Sequence, residues 1–131
     1  MRSFHFDPLS RAPIVTALIT GPRGTRKLRL VFDTGAEITQ FHAARMHEVG
    51  YAPTDAIAKA NIVGAGGVEA EGYLVNLQKL FVLGSKAEDF KVGVFEMPYL
   101  DSRRIDGLLG WDVIRAFHLE MIGPQGLLRV F

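Results

Sequence analysis

The chain has 131 residues, 48% hydrophobic and 22% charged, which suits one ordinary globular domain spanning residues 1–131 with room for a real core. Fifteen Lys and Arg against fourteen Asp and Glu leave a net charge of +1, giving no electrostatic reason to expect nucleic acid or an anionic membrane as partner. No cysteine is present, so disulfides and thiolate metal sites are excluded.

The first residues, Met1-Arg-Ser-Phe-His-Phe-Asp-Pro, lack the apolar run of a secretory leader. Nowhere does the chain approach the roughly 18 apolar residues that span a bilayer. Taken as a full-length chain, it is expected in the cytoplasm. Ile14 to Thr20 and Lys27 to Phe32 read as strands around the turn Gly21-Pro22-Arg23-Gly24. The second alternates Leu28, Leu30 and Phe32, and it delivers Asp33-Thr34-Gly35. Phe41 to Val49 carries helix formers and stops at Gly50.

From Ile57 the pattern is β again. Ile62-Val63, the glycine-rich Gly64-Ala65-Gly66-Gly67 and Val68 to Leu77 predict a long hairpin. Two further strands, Leu80 to Leu83 and Phe90 to Phe95, flank the polar Gly84-Ser85-Lys86. Ile105 to Leu109 is apolar around Asp106-Gly107, and Asp112 to Phe117 suits a short helix with Asp112 as its cap. Leu127 to Phe131 closes the chain as an apolar strand, an open edge expected to lie at a subunit interface. The sum is about seven strands and one or two short helices, an all-β, barrel-like domain.

Chemistry concentrates at Asp33-Thr34-Gly35-Ala36. A strand ends in a carboxylate, and a turn after it can hold that carboxylate with backbone N–H groups and the Thr hydroxyl. A plain Asp-Thr-Gly turn in an unrelated small barrel is the bland alternative. Some seventy residues on, Leu108-Leu109-Gly110-Trp111-Asp112 opens a helix. With the glycine-rich hairpin between them, these segments resemble the retropepsin-like aspartic proteases, the group that holds the retroviral proteases and their relatives. The resemblance spans Leu28 to Leu119. It implies an acid-protease-like closed barrel in which Asp33 is catalytic with Thr34 and Gly35 holding its turn, and Leu108, Leu109 and Gly110 thread beneath it. Ala36, Glu37, Val63, Gly64, Ala65, Gly66 and Gly67 would bind substrate, the last five as a flap. Glu37 stands where relatives usually have Asp or Ser. Trp111 stands where retroviral members carry an Arg that steadies the neighbouring acid.

Peptide hydrolysis of this kind needs two close carboxylates sharing one proton, because like charges a few ångström apart cannot both ionise. Only one Asp-Thr-Gly exists here: Asp101-Ser102-Arg103 lacks the glycine, and Asp106-Gly107 lacks the hydroxyl. A C₂ homodimer pairing Asp33 with its mate is therefore expected. A peptide-binding module that dimerises without cutting is the alternative.

Other features have plainer readings. No helix opens after the glycine-rich run, so it lacks the N–H cradle of a phosphate loop. His42 and His47 are five apart, which does not align two metal ligands on one helical face. No metal or other cofactor is expected. Arg23, Arg26, Lys27 and Arg29 read as the solvated edge of a hairpin. Trp111 and Phe117 read as core or interface packing.

Overall fold

The computed structural model describes residues 1–63, 67 and 69–131. Its elements in chain order are β1 (Arg2–His5), β2 (Ile14–Gly21), β3 (Gly24–Phe32), β4 (Gln40–His42), α1 (Ala43–Glu48), β5 (Ala58–Val63), β6 (Glu69–Val82), β7 (Ser85–Phe95), β8 (Gly107–Leu109), α2 (Trp111–Ile114), β9 (Leu119–Ile122) and β10 (Leu127–Val130), with short 3-10 helices at Pro53–Asp55, Pro98–Arg103 and Gly123–Gln125.

The large sheet runs β2-β3-β8-β4-β7-β6-β5, and a second pairing of β2 with β6 joins its ends. Six strands thus close into a barrel, with β5 left outside on β6. The all-β barrel expected from the sequence is the fold observed, although several of its strands are shorter or longer than predicted. Alternating residues fill the interior: Val15, Ala17 and Ile19 from β2, Leu28 and Leu30 from β3, Val75, Leu77 and Leu80 from β6, all buried. At about 25 cal/mol per Å² of apolar surface removed from water, this shared interior supplies most of the folding drive.

Consecutive strands β3 and β4 are not neighbours. β8, from the far end of the sequence, lies between them, parallel to β3 and antiparallel to β4. Asp106 knits this ψ-shaped insertion at its entry. Its N–H donates to the Arg29 carbonyl at 2.8 Å, and its Oδ2 accepts the Arg29 N–H at 2.8 Å. Its carbonyl accepts the His42 N–H at 2.8 Å. A Cβ on Gly107 would lie 2.2 Å from the Gln40 carbonyl oxygen, so only glycine lets the strand enter.

The predicted pair of strands over Val68–Leu77 and Leu80–Leu83 is one element, β6. It changes phase at Gln78 and Lys79, both exposed between buried Leu77 and Leu80. Opposite the kink, Asp89 adopts a left-handed φ of 49°. The Gln78 N–H donates to the Tyr51 hydroxyl at 2.9 Å. One edge of the strand thereby serves two partners, β5 before the kink and β2 after it, while β7 pairs along the other edge. Burial pushes the Tyr51 phenol upward in pKa, an effect the Gln78 N–H partly offsets.

The chain ends make a separate three-stranded sheet, β1-β10-β9. This corrects the reading of Leu127–Phe131 as an open edge. β10 is the inner strand, paired with β1 on one side and β9 on the other. The sequence signal was burial: Leu128 and Val130 are buried because their strand is flanked. β1 and β9 escaped prediction because they are four residues each with mixed polarity.

Candidate active site

Asp33 follows directly on β3. Its N–H donates to the Leu109 carbonyl at 2.9 Å, so β8 continues the ladder one step beyond Phe32. A tight turn follows, closed by the Ala36 N–H on the Asp33 carbonyl at 3.2 Å. The Gly35 N–H donates to Asp33 Oδ1 at 2.9 Å and fixes one face of the carboxylate. Asp33 itself is half-buried, while Thr34 and Gly35 are exposed. Among the described residues, Asp33 Oδ1 takes this backbone donor and no second carboxylate bonds to the group. The Thr34 hydroxyl, expected to steady the turn, has no partner within the chain among the described residues and faces solvent.

What steadies the turn instead is a clamp onto residues 109–113. The Trp111 N–H donates to the Ala36 carbonyl at 2.7 Å. Thr39 is fully buried; its hydroxyl accepts the Gly110 N–H at 3.0 Å and donates to Asp112 Oδ1 at 2.7 Å. The Thr39 N–H reaches both Asp112 oxygens at 2.9 Å. A Cβ on Gly110 would come within 2.6 Å of the Ile38 carbonyl carbon, so the two segments touch backbone to backbone.

Asp112 is accordingly not the helix cap predicted. Gly110 holds the N-cap position, extended at φ −95° and ψ 178°, and Asp112 lies in the first turn. Its Oδ1 accepts the Val113 N–H at 2.9 Å and ties the helix start to Thr39. Thr39 was missed by sequence reasoning, because a buried Thr after a turn carries no pattern that separates it from a strand residue.

Of the other residues singled out, Ala36 is half-buried in the turn and Glu37 is exposed beside it. Val63 is 66% exposed at the end of β5. Gly67 is exposed with φ 77°, whereas Gly64, Ala65 and Gly66 lie outside the described residues. Trp111 is 48% exposed beside the turn and does not belong to the core; Phe117 is partly buried against it. Between the β5–β6 hairpin and the turn lies a small apolar cluster of Phe95, Met97, Leu100 and Ile105, with Ile38, Ile62 and Ala70 packed on it. The site therefore joins a positioned carboxylate to an apolar neighbourhood under a hairpin. Among the described residues no group of three His, Asp or Glu is arranged to hold a metal.

This architecture, a closed barrel with an inserted strand beneath an Asp-Thr-Gly turn, is the retropepsin-like fold. The structure is similar to that of a retropepsin-like aspartic protease from Rickettsia conorii, with a TM-score of 0.70, 18% identity, and coverage of 100% of this chain and 99% of that one. It is also similar to EIAV protease complexed with the inhibitor HBY-793, with a TM-score of 0.58, 22% identity, and coverage of 82% of this chain and 89% of that one. No curated protein sequence matches the chain. The family model described as aspartyl protease matches residues 15–113, and the chain belongs to that family. An unrelated small barrel, the bland alternative, is thereby set aside.

Proposed function

We propose that the protein is an aspartic endopeptidase that acts as a homodimer, with Asp33 of each copy forming the carboxylate pair. The observation that carries this reading is the single Asp33 carboxylate, half-buried, held on one face by the Gly35 N–H and set in a turn clamped from behind. One such group lacks the partner that proton sharing requires. A facing copy would supply it. In the pair, the ionised carboxylate takes a proton from water as that water attacks the scissile carbonyl. The protonated one donates to the carbonyl oxygen, giving a tetrahedral diol with no covalent link to the enzyme. Proton transfer to the leaving nitrogen then breaks the C–N bond. Thr34, Gly35, Ala36 and Glu37 line the turn, and Val63 to Gly67 would cover bound peptide as the hairpin's tip. The exposed Thr34 hydroxyl, unbonded among the described residues, is available to a facing copy or to substrate.

Asp33→Asn tests the reading. Asn keeps an oxygen for the Gly35 N–H, so fold and assembly persist, but it cannot ionise. Peptide hydrolysis should fall to background, and dimers of one wild-type and one substituted chain should be as inactive as doubly substituted ones. The wild-type pH profile should be bell-shaped, as coupled carboxylates titrate in two separated steps. Substantial hydrolysis by the mixed or doubly substituted dimer would refute the assignment.

A further inference from the structure

We infer that the protein carries, apart from the Asp33 turn, a docking hollow for acidic polypeptide, and that it recruits substrates with a carboxylate-rich stretch. An open hollow of about 380 Å³ is lined by Lys27, Arg29, Arg45 and Arg104, with Asp101, Ile105 and Asp106. Four cations gather here on a chain whose net charge is only +1. Lys27 and Arg29 belong to the basic stretch that sequence reading gave to a solvated hairpin edge. Folding adds Arg45 from α1 and Arg104 from the loop before β8, which turns an edge into a concave cluster.

The two acids offset only half of these four charges. The Asp106 carboxylate accepts the Arg29 backbone N–H at 2.8 Å, and Asp101 Oδ1 sits 3.6 Å from His42 Nε2. Among the described residues neither Lys27 nor Arg104 forms an ion pair. Arg45 gives one terminal nitrogen to Glu48 at 3.1 Å, while its Nε is buried with no acceptor among the described residues. Among the described residues Arg104 is one of three non-glycine residues with positive φ, at 54°, a conformation the loop must hold in place. Arg29 braces that loop by donating to the Arg104 carbonyl at 3.1 Å.

A side-chain carboxylate fits this arrangement, since guanidinium groups bind carboxylates through paired N–H donors. The hollow opens at the entry of β8, and the Leu109 carbonyl at its other end receives the Asp33 N–H. Three residues of strand separate them, roughly 10 Å at about 3.3 Å per residue. A substrate longer than the segment held at the Asp33 turn would be needed to occupy both. The recruiting role rests on the peptidase reading, but the binding does not, so the test measures binding alone.

The full chain carrying Asp33→Asn is titrated with an oligo-glutamate peptide, a matched oligo-glutamine peptide, inorganic phosphate and a single-stranded oligonucleotide, following the Arg Nε–H signals by NMR. The glutamate peptide should bind, shift the Arg29 and Arg104 Nε–H resonances and weaken with added salt. The glutamine peptide should not bind. Lys27→Gln with Arg104→Gln should weaken the glutamate peptide roughly tenfold or more. Lys79→Gln with Lys91→Gln, which makes the same charge change away from the hollow, should leave it within about twofold. Equal loss in both double variants, or no glutamate binding, would overturn the site. Tighter binding of phosphate or of the oligonucleotide would overturn the assignment to acidic polypeptide. If hydrolysis is never found yet the glutamate peptide binds as described, the peptidase reading alone fails.

Discussion

The Asp33 turn and the β5–β6 hairpin face the same apolar cluster, yet they are held in opposite ways. The turn is bonded to a segment more than seventy residues distant through Asp33, Ala36 and Thr39, and it touches that segment backbone to backbone at Gly110. Among the described residues strand β5 pairs with β6 alone, outside the closed barrel, and its residues alternate between exposed and half-buried. Rigidity is thus spent where a carboxylate must be aimed, and few restraints are placed where a polypeptide would have to enter. Local stability generally divides in this way, with sites of chemistry over-determined and covering elements lightly attached.

The comparison breaks most severely at Asp112. Replacing it with Ala removes the acceptor of the Thr39 N–H and hydroxyl, leaving donors stranded beside the turn. A loss of about 3 kcal/mol is expected, since bonds to a charged acceptor contribute most and their buried donors have nowhere else to go. Chemical denaturation of Asp112→Ala should show it, with Asp112→Asn recovering part of the difference. Gly110→Ala comes next, at roughly 2 kcal/mol, because backbone atoms at 2.6 Å cannot yield to a methyl group without moving the turn. For this variant, peptide hydrolysis should fall further than thermal stability does.

A smaller effect belongs to Tyr51→Phe, which strands the Gln78 N–H at the kink of β6 and should cost about 1–2 kcal/mol at neutral pH. Its pH signature runs in one direction. Burial raises the Tyr51 pKa above the ordinary value of 10.0, so the fold favours the neutral phenol. That stability is fully present below the unfolded pKa and is lost as pH rises through the folded one. Urea midpoints above about pH 10 should therefore fall less steeply in the variant than in the wild type. Tyr73, also raised chiefly by burial, keeps part of the alkaline slope in both. The smallest change in stability, about 1 kcal/mol, should come from Ile62→Ala on the half-buried face of β5. Its main consequence should be a raised KM with kcat little altered, because it thins the hairpin's contact with the cluster. A stability loss as large as that of Asp112→Ala would erase the distinction between the two regions.

Much of this arrangement is legible in the residues. The strands β2, β3 and β7 announce themselves by apolar runs or alternation, and Asp-Thr-Gly after β3 marks the turn. The helix expected over Phe41–Val49 divides instead into β4 and α1, since Gln40–His42 are all buried between β8 and β7 and are drawn into the sheet. Tertiary contact overrides local propensity there. Thr39 and the roles of Asp112 and Asp106 could not be read, because each depends on a partner 73 or 77 positions away. The basic hollow was invisible for the same reason: two of its four cations come from elements that only the fold brings beside β3.

The self-contained sheet of chain ends has a kinetic consequence. A chain that ties β1 and β9 to its own β10 completes this sheet without borrowing a strand, so its fold would not wait on a second copy. If the active species is the pair, its amount scales with the square of the protomer concentration when dilute. Specific activity would then rise with protein concentration while the melting of each chain stayed nearly constant, which makes local crowding of copies, rather than unfolding, the natural throttle on hydrolysis.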